Sequence, residues 1–172
     1  MSVIDTVAEL MAVAAITAPK SRGQNFVQTR IINGGDLKKI ADAMVQFGIK
    51  AGKKDFDRDA KGVAAAEAML LIGIKDAAAL GLNCQACGFS SCADLNEQKK
   101  TGGEFKGPYC SFRMLDMGIA LGSAAKTAMM FNVDNRIMYR VGAVVRDMGL
   151  VDWDFIMGIP LSVTGKSIYF DR

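Results

Sequence analysis

Four cysteines lie in one short stretch of the chain, and their chemistry is the most readily interpreted in the sequence. Their spacing is Cys84-x2-Cys87-x4-Cys92-x17-Cys110, and the 172 residues contain no other cysteine. Three thiolates close together and a fourth reached by a loop form the ligand set that a four-iron cubane requires. Gly88 lets the backbone turn sharply beside them. We therefore predict a [4Fe-4S] cluster with these four cysteines as its metal ligands.

Two other interpretations of the cysteines stay open. A structural zinc site usually takes its ligands in two tight knuckles, whereas here only Cys84 and Cys87 form one, and Cys110 has no close partner. Unligated buried thiols would have no reason to collect in residues 84–110, which we call the cysteine segment. The spacing favours iron–sulfur over zinc, and zinc over unligated thiols.

Composition restricts the remaining chemistry. The chain has no histidine, which excludes imidazole acid–base catalysis, Ser-His and Cys-His nucleophile pairs and histidine-ligated metals. Its 21 basic and 18 acidic side chains give a net charge of +3, and they are intermixed along the chain. Because no basic block is interleaved with aromatic residues, we expect no nucleic-acid partner.

The N-terminal stretch and the apolar runs predict a cytoplasmic protein with no membrane partner. Asp5 and Glu9 stand where a signal peptide would carry positive charge. Glu67 and Lys126 interrupt the two longest apolar runs, which are therefore too short to span a bilayer. In the reducing cytoplasm, four cysteines are better explained as ligands than as disulfides.

Hydrophobic periodicity predicts the elements that must position the cysteines. A capping box at Ser2 and Asp5 starts the first helix, and Pro19 ends it. Further helices are predicted over residues 36–47, 63–69, 113–131 and 137–148, and strands over residues 26–32, 70–74, 155–159 and 167–170. The charge-rich residues 50–61 are predicted to form a solvated linker or a helix end. Most strands are separated by helices, so the fold class is α+β, with residues 1–172 in one domain.

The cysteine motif resembles a known iron–sulfur module. Residues 83–93 read NCQACGFSSCA, and Cys110 follows. This pattern resembles the four-cysteine module of the large corrinoid iron–sulfur subunit of acetyl-CoA synthase complexes and of the B subunit of ion-pumping ferredoxin oxidoreductases. That module binds one [4Fe-4S] cluster, so the resemblance implies the same ligand role here. Pro108 departs from the pattern, because a proline more often follows the last cysteine.

The chain as a whole is similar to the uncharacterised ferredoxin-domain proteins of anaerobic bacteria and archaea. The similarity covers nearly its full length and includes VDNR at 133–136 and GIPLS at 158–162. It implies a cluster and supplies no reaction.

The parts of the chain that flank the cysteine segment resemble the nitroreductase fold, an α+β homodimer that binds FMN at the subunit interface. The resemblance lies in APKSRGQN at 18–25 and IPLSVTGK at 159–166. It implies a nitroreductase-like scaffold into which the cysteine segment is inserted. It also implies a set of flavin-binding residues: Lys20, Arg22, Asn25 and Lys166, with Arg172 a weaker addition.

The residues of the 18–25 loop are compatible with flavin binding and also with a role that involves no flavin. A Lys-Ser-Arg-Gly loop offers the cations and free amides that a phosphate needs, and flavin chemistry works without histidine. Alternatively, Lys20 and Arg22 are surface charges just beyond a helix, where cations interact favourably with the helix dipole.

Two functions follow from these patterns. In the first, the protein is an oxidoreductase in which FMN exchanges two electrons with a substrate and the cluster passes them singly to or from a ferredoxin-like or larger redox partner. In the second, it is a non-enzymatic electron-transfer or redox-sensing subunit without flavin.

Overall fold

The computed structural model of the chain describes residues 2–170. Its helices are α1 (Val3–Thr17), α2 (Gly35–Ala51), α3 (Phe56–Ala64), α4 (Cys92–Glu97), α5 (Ser111–Met130) and α6 (Tyr139–Asp147). Its strands are β1 (Val27–Asn33), β2 (Ala68–Ile74), β3 (Thr101–Gly102), β4 (Lys106–Gly107), β5 (Asp134–Asn135) and β6 (Phe155–Ser162). This mixture confirms the α+β class. None of the helices within residues 2–170 is both long and apolar enough to cross a membrane.

A four-stranded antiparallel sheet in the order β1-β2-β6-β5 forms the centre of the fold. Helices cover both of its faces, so every residue of β2 is buried. Successive side chains of a strand point to opposite faces. Leu70 accordingly packs with α1 and α5, whereas Leu71 packs with α2, α3 and α6. This two-sided burial explains why β2 is an unbroken apolar run in the sequence.

The strand register defines two ends of the sheet. At one end Val27 pairs with Ile74, and Ile74 pairs with Phe155; we call this the Ile74 end. At the other end Ala68 pairs with Leu161; we call this the Ala68 end. The length of β2 separates the two ends by about 20 Å at the usual rise per strand residue.

The predicted capping box starts α1. The Asp5 N–H donates to Ser2 Oγ at 3.1 Å, and the Ser2 N–H donates to Asp5 Oδ2 at 2.8 Å. Two of the amides that a helix leaves without partners are thereby satisfied. The hydrogen bonds that the Asp5 carboxylate accepts, first of all the one from the Ser2 backbone, hold its pKa below the ordinary value.

Helix α3 corrects the prediction for the region before β2. Residues 50–61 contain the end of α2, as one of the two predictions for them has it, but their second half belongs to α3 rather than to a linker. The predicted helix at 63–69 is wrong, because β2 begins inside it. Phe56, Ala60 and Val63 recur at i, i+4 and i+7 and are buried on one face of α3. Asp57 and Lys61 are exposed on the outer face, and the buried Asp59 is paired with Arg58 and Arg140, so the stretch is an amphipathic helix rather than a linker.

Strand β6 continues through Pro160, where the sequence predicts its end. Gly158 exchanges two hydrogen bonds with Met138 on the β5 side of the strand, at 2.8 and 3.1 Å. Alternate residues of a strand face the same neighbour, so the proline nitrogen also faces the β5 side and costs no hydrogen bond to β2. The predicted strand at 167–170 is wrong as well, since residues 168–170 form a turn.

The connection from β2 to α5 carries all four cysteines and leaves the sheet at the Ile74 end. The Lys75 N–H donates to the Phe26 carbonyl at 3.3 Å, and the Asp76 N–H donates to Asp154 Oδ2 at 3.0 Å. Beyond these residues the connection contains the short α4 and the β3–β4 hairpin. The fold therefore presents the cysteine segment at this end of the sheet.

Candidate functional site

The four thiols are free, and they lie at different depths. Cys84 is exposed, and Cys87 and Cys92 are half-buried. Cys110 is 6% exposed and is the N-cap residue of α5. It packs in a small apolar cluster, separate from the main core, that also contacts Cys87. One thiol is thus anchored on a long helix, and the other three lie on the connection that leads to it.

Asn83 links the stretches that carry the first and third cysteines. Its Oδ1 accepts the Cys92 N–H at 2.8 Å, and its own N–H points at Cys92 Sγ at 3.4 Å. The chain turns there because Asn83, Gln85 and Gly88 all adopt positive φ angles. Gly88 therefore has the turning role that the sequence predicts, and Asn83 is a contact that the sequence analysis missed.

A second link connects the stretches that carry the second and fourth cysteines. Ser111 Oγ donates to the Ala86 carbonyl at 2.9 Å, and each of these residues is the chain neighbour of a cysteine. Within residues 2–170, no three cysteine or carboxylate side chains are arranged to hold a metal ion. The segments that carry the thiols are therefore tied to each other by hydrogen bonds, without a preformed cage for one ion.

Lys20, the first residue predicted to contact flavin, lies at the end of α1. Its Nζ donates to the backbone carbonyls of Ala15, Ile16 and Ala18 at distances of 2.6 to 3.0 Å. Burial lowers the pKa of Lys20, and the nearby Asp116 acts in the opposite direction. Its ammonium thus satisfies carbonyls that the helix leaves without partners, at the negative end of the helix dipole.

Arg22 and Asn25 hold the loop at residues 18–25 against the rest of the chain. Arg22 has a positive φ of 57°, and its Nη1 donates to the Leu80 carbonyl at 2.9 Å. Asn25 Oδ1 accepts the Val27 N–H at 3.0 Å and so shapes the entry to β1. The 18–25 loop therefore lies at the Ile74 end of the sheet, beside the chain that leads into the cysteine segment.

Lys166 lies at the Ala68 end, because it follows the last residue of β6. It lines a cavity of about 420 Å³ together with Arg58 and Lys61 of α3. Within one chain, the length of the sheet separates Lys166 from the 18–25 loop, so the structure does not bring these predicted flavin contacts together. Arg172, the weaker candidate, lies outside the described residues.

A buried ion pair that the sequence analysis missed joins the 18–25 loop to α5. Arg113 is 1% exposed and lies 3.2 Å from Asp116. The guanidinium donates to the Ala78 carbonyl at 2.9 Å, to the Ser21 carbonyl at 3.1 Å, and to Gln24 Oε1. Asp116 Oδ1 accepts both the N–H and the hydroxyl of Ser21, each at 2.7 Å. The pair connects three segments that are distant in sequence.

The pattern of α5 holds a signal for this pair. Arg113 and Asp116 fall on the same helical face as Met117 and Ala120, which are buried against the sheet. Charged side chains on an otherwise apolar face must find partners, because an unpaired buried charge is strongly destabilising. The sequence thus indicates that partners exist, but it does not indicate which residues they are.

Asp154 fastens the β3–β4 hairpin to the Ile74 end of the sheet. Lys100 Nζ donates to its carboxylate at 2.7 Å, and Lys106 Nζ lies 3.4 Å from the other oxygen. Burial raises the pKa of Asp154, but the hydrogen bonds from Lys100 and the Asp76 N–H outweigh it and hold the pKa below its ordinary value. This carboxylate therefore holds the last part of the cysteine segment on β6 as an anion.

The fold resembles that of solved nitroreductases. The CinD nitroreductase of Lactococcus lactis, solved with nicotinic acid, has a TM-score of 0.61 and 16% identity, covering 99% of this chain and 86% of its own. The FMN-dependent nitroreductase NfnB of Mycobacterium smegmatis, solved with NADPH, has a TM-score of 0.60 and 10% identity, covering 98% of this chain and 82% of its own. A nitroreductase with bound FMN from Desulfitobacterium hafniense has a TM-score of 0.56 and 14% identity, covering 94% of this chain and 79% of its own. The scaffold is nitroreductase-like, as predicted.

The sequence comparisons place the chain in a family. Residues 106–172 match the family described as "Uncharacterized protein containing a ferredoxin domain (DUF2148)". An uncharacterized protein of Archaeoglobus fulgidus is 48% identical over 163 residues, which cover 95% of this chain and 88% of the relative. The chain belongs to this family of ferredoxin-domain proteins.

Proposed function

We propose that the protein is an iron–sulfur redox protein in which Cys84, Cys87, Cys92 and Cys110 hold one [4Fe-4S] cluster. The observation that carries the proposal is the pair of hydrogen-bonded links that tie the stretches bearing these four free thiols to one another. The ferredoxin domain named in the family description also supports it.

The residues around the thiols fit such a group. When bound, the cluster supplies one-electron exchange. The Asn83 N–H already points at Cys92 Sγ, and hydrogen bonds to ligand sulfurs tune the potential of a cluster. Because Cys84 is exposed and Cys92 is half-buried, a ferredoxin-like or larger redox protein can approach from this side. Cys110 on α5 fixes the site to the scaffold.

The proposal includes FMN, held by Lys20, Arg22, Asn25 and Lys166, as the partner group for two-electron chemistry. The 18–25 loop and Lys166 lie at opposite ends of the sheet, so one chain offers two separate halves of a flavin site. Two protomers related by a two-fold axis that crosses the strand direction would set the Ile74 end of one against the Ala68 end of its partner. The flavin is accordingly proposed to lie between protomers of a homodimer, as in the nitroreductase fold.

The outer face of α1 and α5 is the surface proposed for this dimer. On α5, Leu115, Gly118, Ile119 and Gly122 recur at i, i+3, i+4 and i+7 and are all exposed, with Leu115 at 60%. An added Cβ at either glycine would meet nothing within 4 Å, so another helix can approach α5 closely at these positions. Helix α1, which packs against α5, carries further exposed large apolar side chains: Leu10, Val13 and Ile16. Exposed apolar surface of this kind is typical of protein interfaces.

Mixing two binding-deficient variants tests the shared flavin site. Arg22→Ala and Lys166→Ala are each expected to weaken FMN binding by about tenfold or more, since each removes a charged donor. After subunit exchange, a mixed dimer regains one site built from the intact loop of one protomer and the intact Lys166 of its partner. Random exchange should therefore restore tight binding at about one site in four. Quenching of flavin fluorescence gives the stoichiometry.

The same experiment distinguishes a flavin site shared between protomers from a site within one protomer and from the absence of flavin binding. Ile49→Ala, at an exposed apolar residue of α2, a helix that contributes no residue to either half of the proposed site, serves as the matched control and should bind FMN like the wild type. If the mixture binds no more flavin than the separate variants, the site does not span two protomers. If the wild-type protein itself binds no FMN, the flavin part of the proposal fails while the cluster part stands.

One observation favours a second function, that of an electron carrier without flavin. The Lys20 ammonium is already engaged by three carbonyls of its own chain, and the Asn25 side chain by the Val27 amide. On this account both residues shape the end of α1 and the entry to β1. A cluster-containing protein that binds no FMN but exchanges electrons with a ferredoxin would establish this second function.

A further inference from the structure

Arg113 occupies a buried position between the cysteine segment and the 18–25 loop. Its backbone N–H donates to the Cys110 carbonyl at 3.0 Å, which places it in the first turn of α5. Its guanidinium lies over the Phe26 ring with 4.7 Å between the guanidinium carbon and the ring centroid. Its donors reach Ala78 on one side and Ser21 and Gln24 on the other. The Arg113 side chain therefore connects the 18–25 loop to residue 78, on the chain that leads into the cysteine segment, and its backbone bonds the last cysteine of that segment.

We propose that Arg113 is a positioning residue through which ligation of a cluster at Cys110 orders the 18–25 loop. The inference rests on the proposed cluster, but it does not require that flavin binds. Cys110 is the N-cap of α5, so fixing its thiolate fixes the first turn and the direction in which the Arg113 side chain leaves the helix. The planar guanidinium then holds the loop by directed hydrogen bonds.

Asp116 makes the coupling specific to the loop. It lies one turn after Arg113 and holds the Ser21 amide and hydroxyl, so the two side chains grip the same residue from α5. Arg22 adds a further bond between the loop and the Leu80 carbonyl. The order of residues 21–24 should therefore follow the order of the first turn of α5.

Hydrogen exchange of the full-length protein, with and without its cluster, tests this coupling. In the wild type, loading iron and sulfide into cluster-free protein is expected to slow exchange of the amides at 21–24 by about tenfold. Arg113→Lys keeps the positive charge beside Asp116 but cannot reach Ala78, Ser21 and Gln24 at once. In this variant the slowing should shrink to less than about twofold at equal iron content. Arg30→Lys, whose arginine bonds the Leu150 carbonyl on the other side of the sheet, is the matched control.

A merely structural role for Arg113 predicts a different result. In that case Arg113→Lys speeds exchange equally in loaded and cluster-free protein, the ratio between them stays at the wild-type value, and the inference is overturned. Gln24→Ala gives a second measure, because it cuts one contact to the loop and leaves the buried pair intact; it should lower the ratio partially. A protein that takes up no iron refutes the proposed function and this inference with it. Normal iron content with an unchanged ratio refutes the inference alone.

Discussion

Cys110→Ala protein purified without oxygen is expected to contain about tenfold less iron than the wild type, or even less. Loss of an outer-shell partner alone costs about 10–100-fold in metal affinity, and loss of a ligand should cost no less. Cys110 is nearly fully buried at the start of α5, so water cannot easily take the place of its sulfur. A colorimetric iron assay, normalised to protein concentration, measures the effect. Equivalent losses are expected for alanine at Cys84, Cys87 and Cys92.

Leu95→Val is the matched control for this experiment. Leu95 packs beside Cys110 in the same small apolar cluster, and the change removes one methylene without touching a thiol. It should keep most of its iron, because a change of this kind costs only about 1 kcal/mol of stability. If Cys110→Ala retained wild-type iron, Cys110 would not be a ligand, and the proposed attachment of the cluster to α5 would be wrong.

Gly142→Ala is expected to destabilise the fold by about 3 kcal/mol or more. A Cβ at Gly142 would lie 1.8 Å from the Ile156 carbonyl oxygen and 2.5 Å from its carbon, so α6 would have to move off β6. Both atoms belong to the backbone carbonyl of Ile156, on a strand inside the sheet, and cannot move aside as a side chain can. Urea unfolding followed by circular dichroism would show a large drop in the midpoint, or no folded protein at all.

Gly103→Ala provides the control for the glycine experiment. An added Cβ there meets nothing within 4 Å, and its φ is not positive, so its stability should change by no more than about 0.5 kcal/mol. Equal urea midpoints for Gly142→Ala and the wild type would mean that α6 does not pack on β6 as described.

Elements set by local pattern could be predicted from the sequence. The capping box fixes the start of α1 through residues three apart, and the unbroken apolar run of β2 reports its burial on both faces. The α+β class and the position of the cysteines between β2 and α5 follow from such patterns. Helix α3 was missed because it has as many charged residues as apolar ones, although Phe56, Ala60 and Val63 keep helical spacing.

Contacts between distant parts of the chain could not be predicted. The Arg113–Ser21 hydrogen bond joins residues 92 positions apart, and no local pattern names the partner. Gly142 is one of 18 glycines in the sequence, and only its approach to β6 gives it a distinct role. The separation of Lys166 from the 18–25 loop depends on strand register, which a resemblance in two short segments does not contain. These features arise from tertiary packing.

The most direct test of the proposed cluster is the visible absorption spectrum of protein purified without oxygen, recorded before and after dithionite, with iron and zinc assayed on the same sample. A [4Fe-4S] cluster is expected to give a broad band that bleaches on reduction and about four irons per chain. Sharper flavin peaks on top of that band would support the oxidoreductase, and the broad band alone would support the electron carrier. A colourless protein that contains zinc would show that the cysteines hold no iron–sulfur cluster.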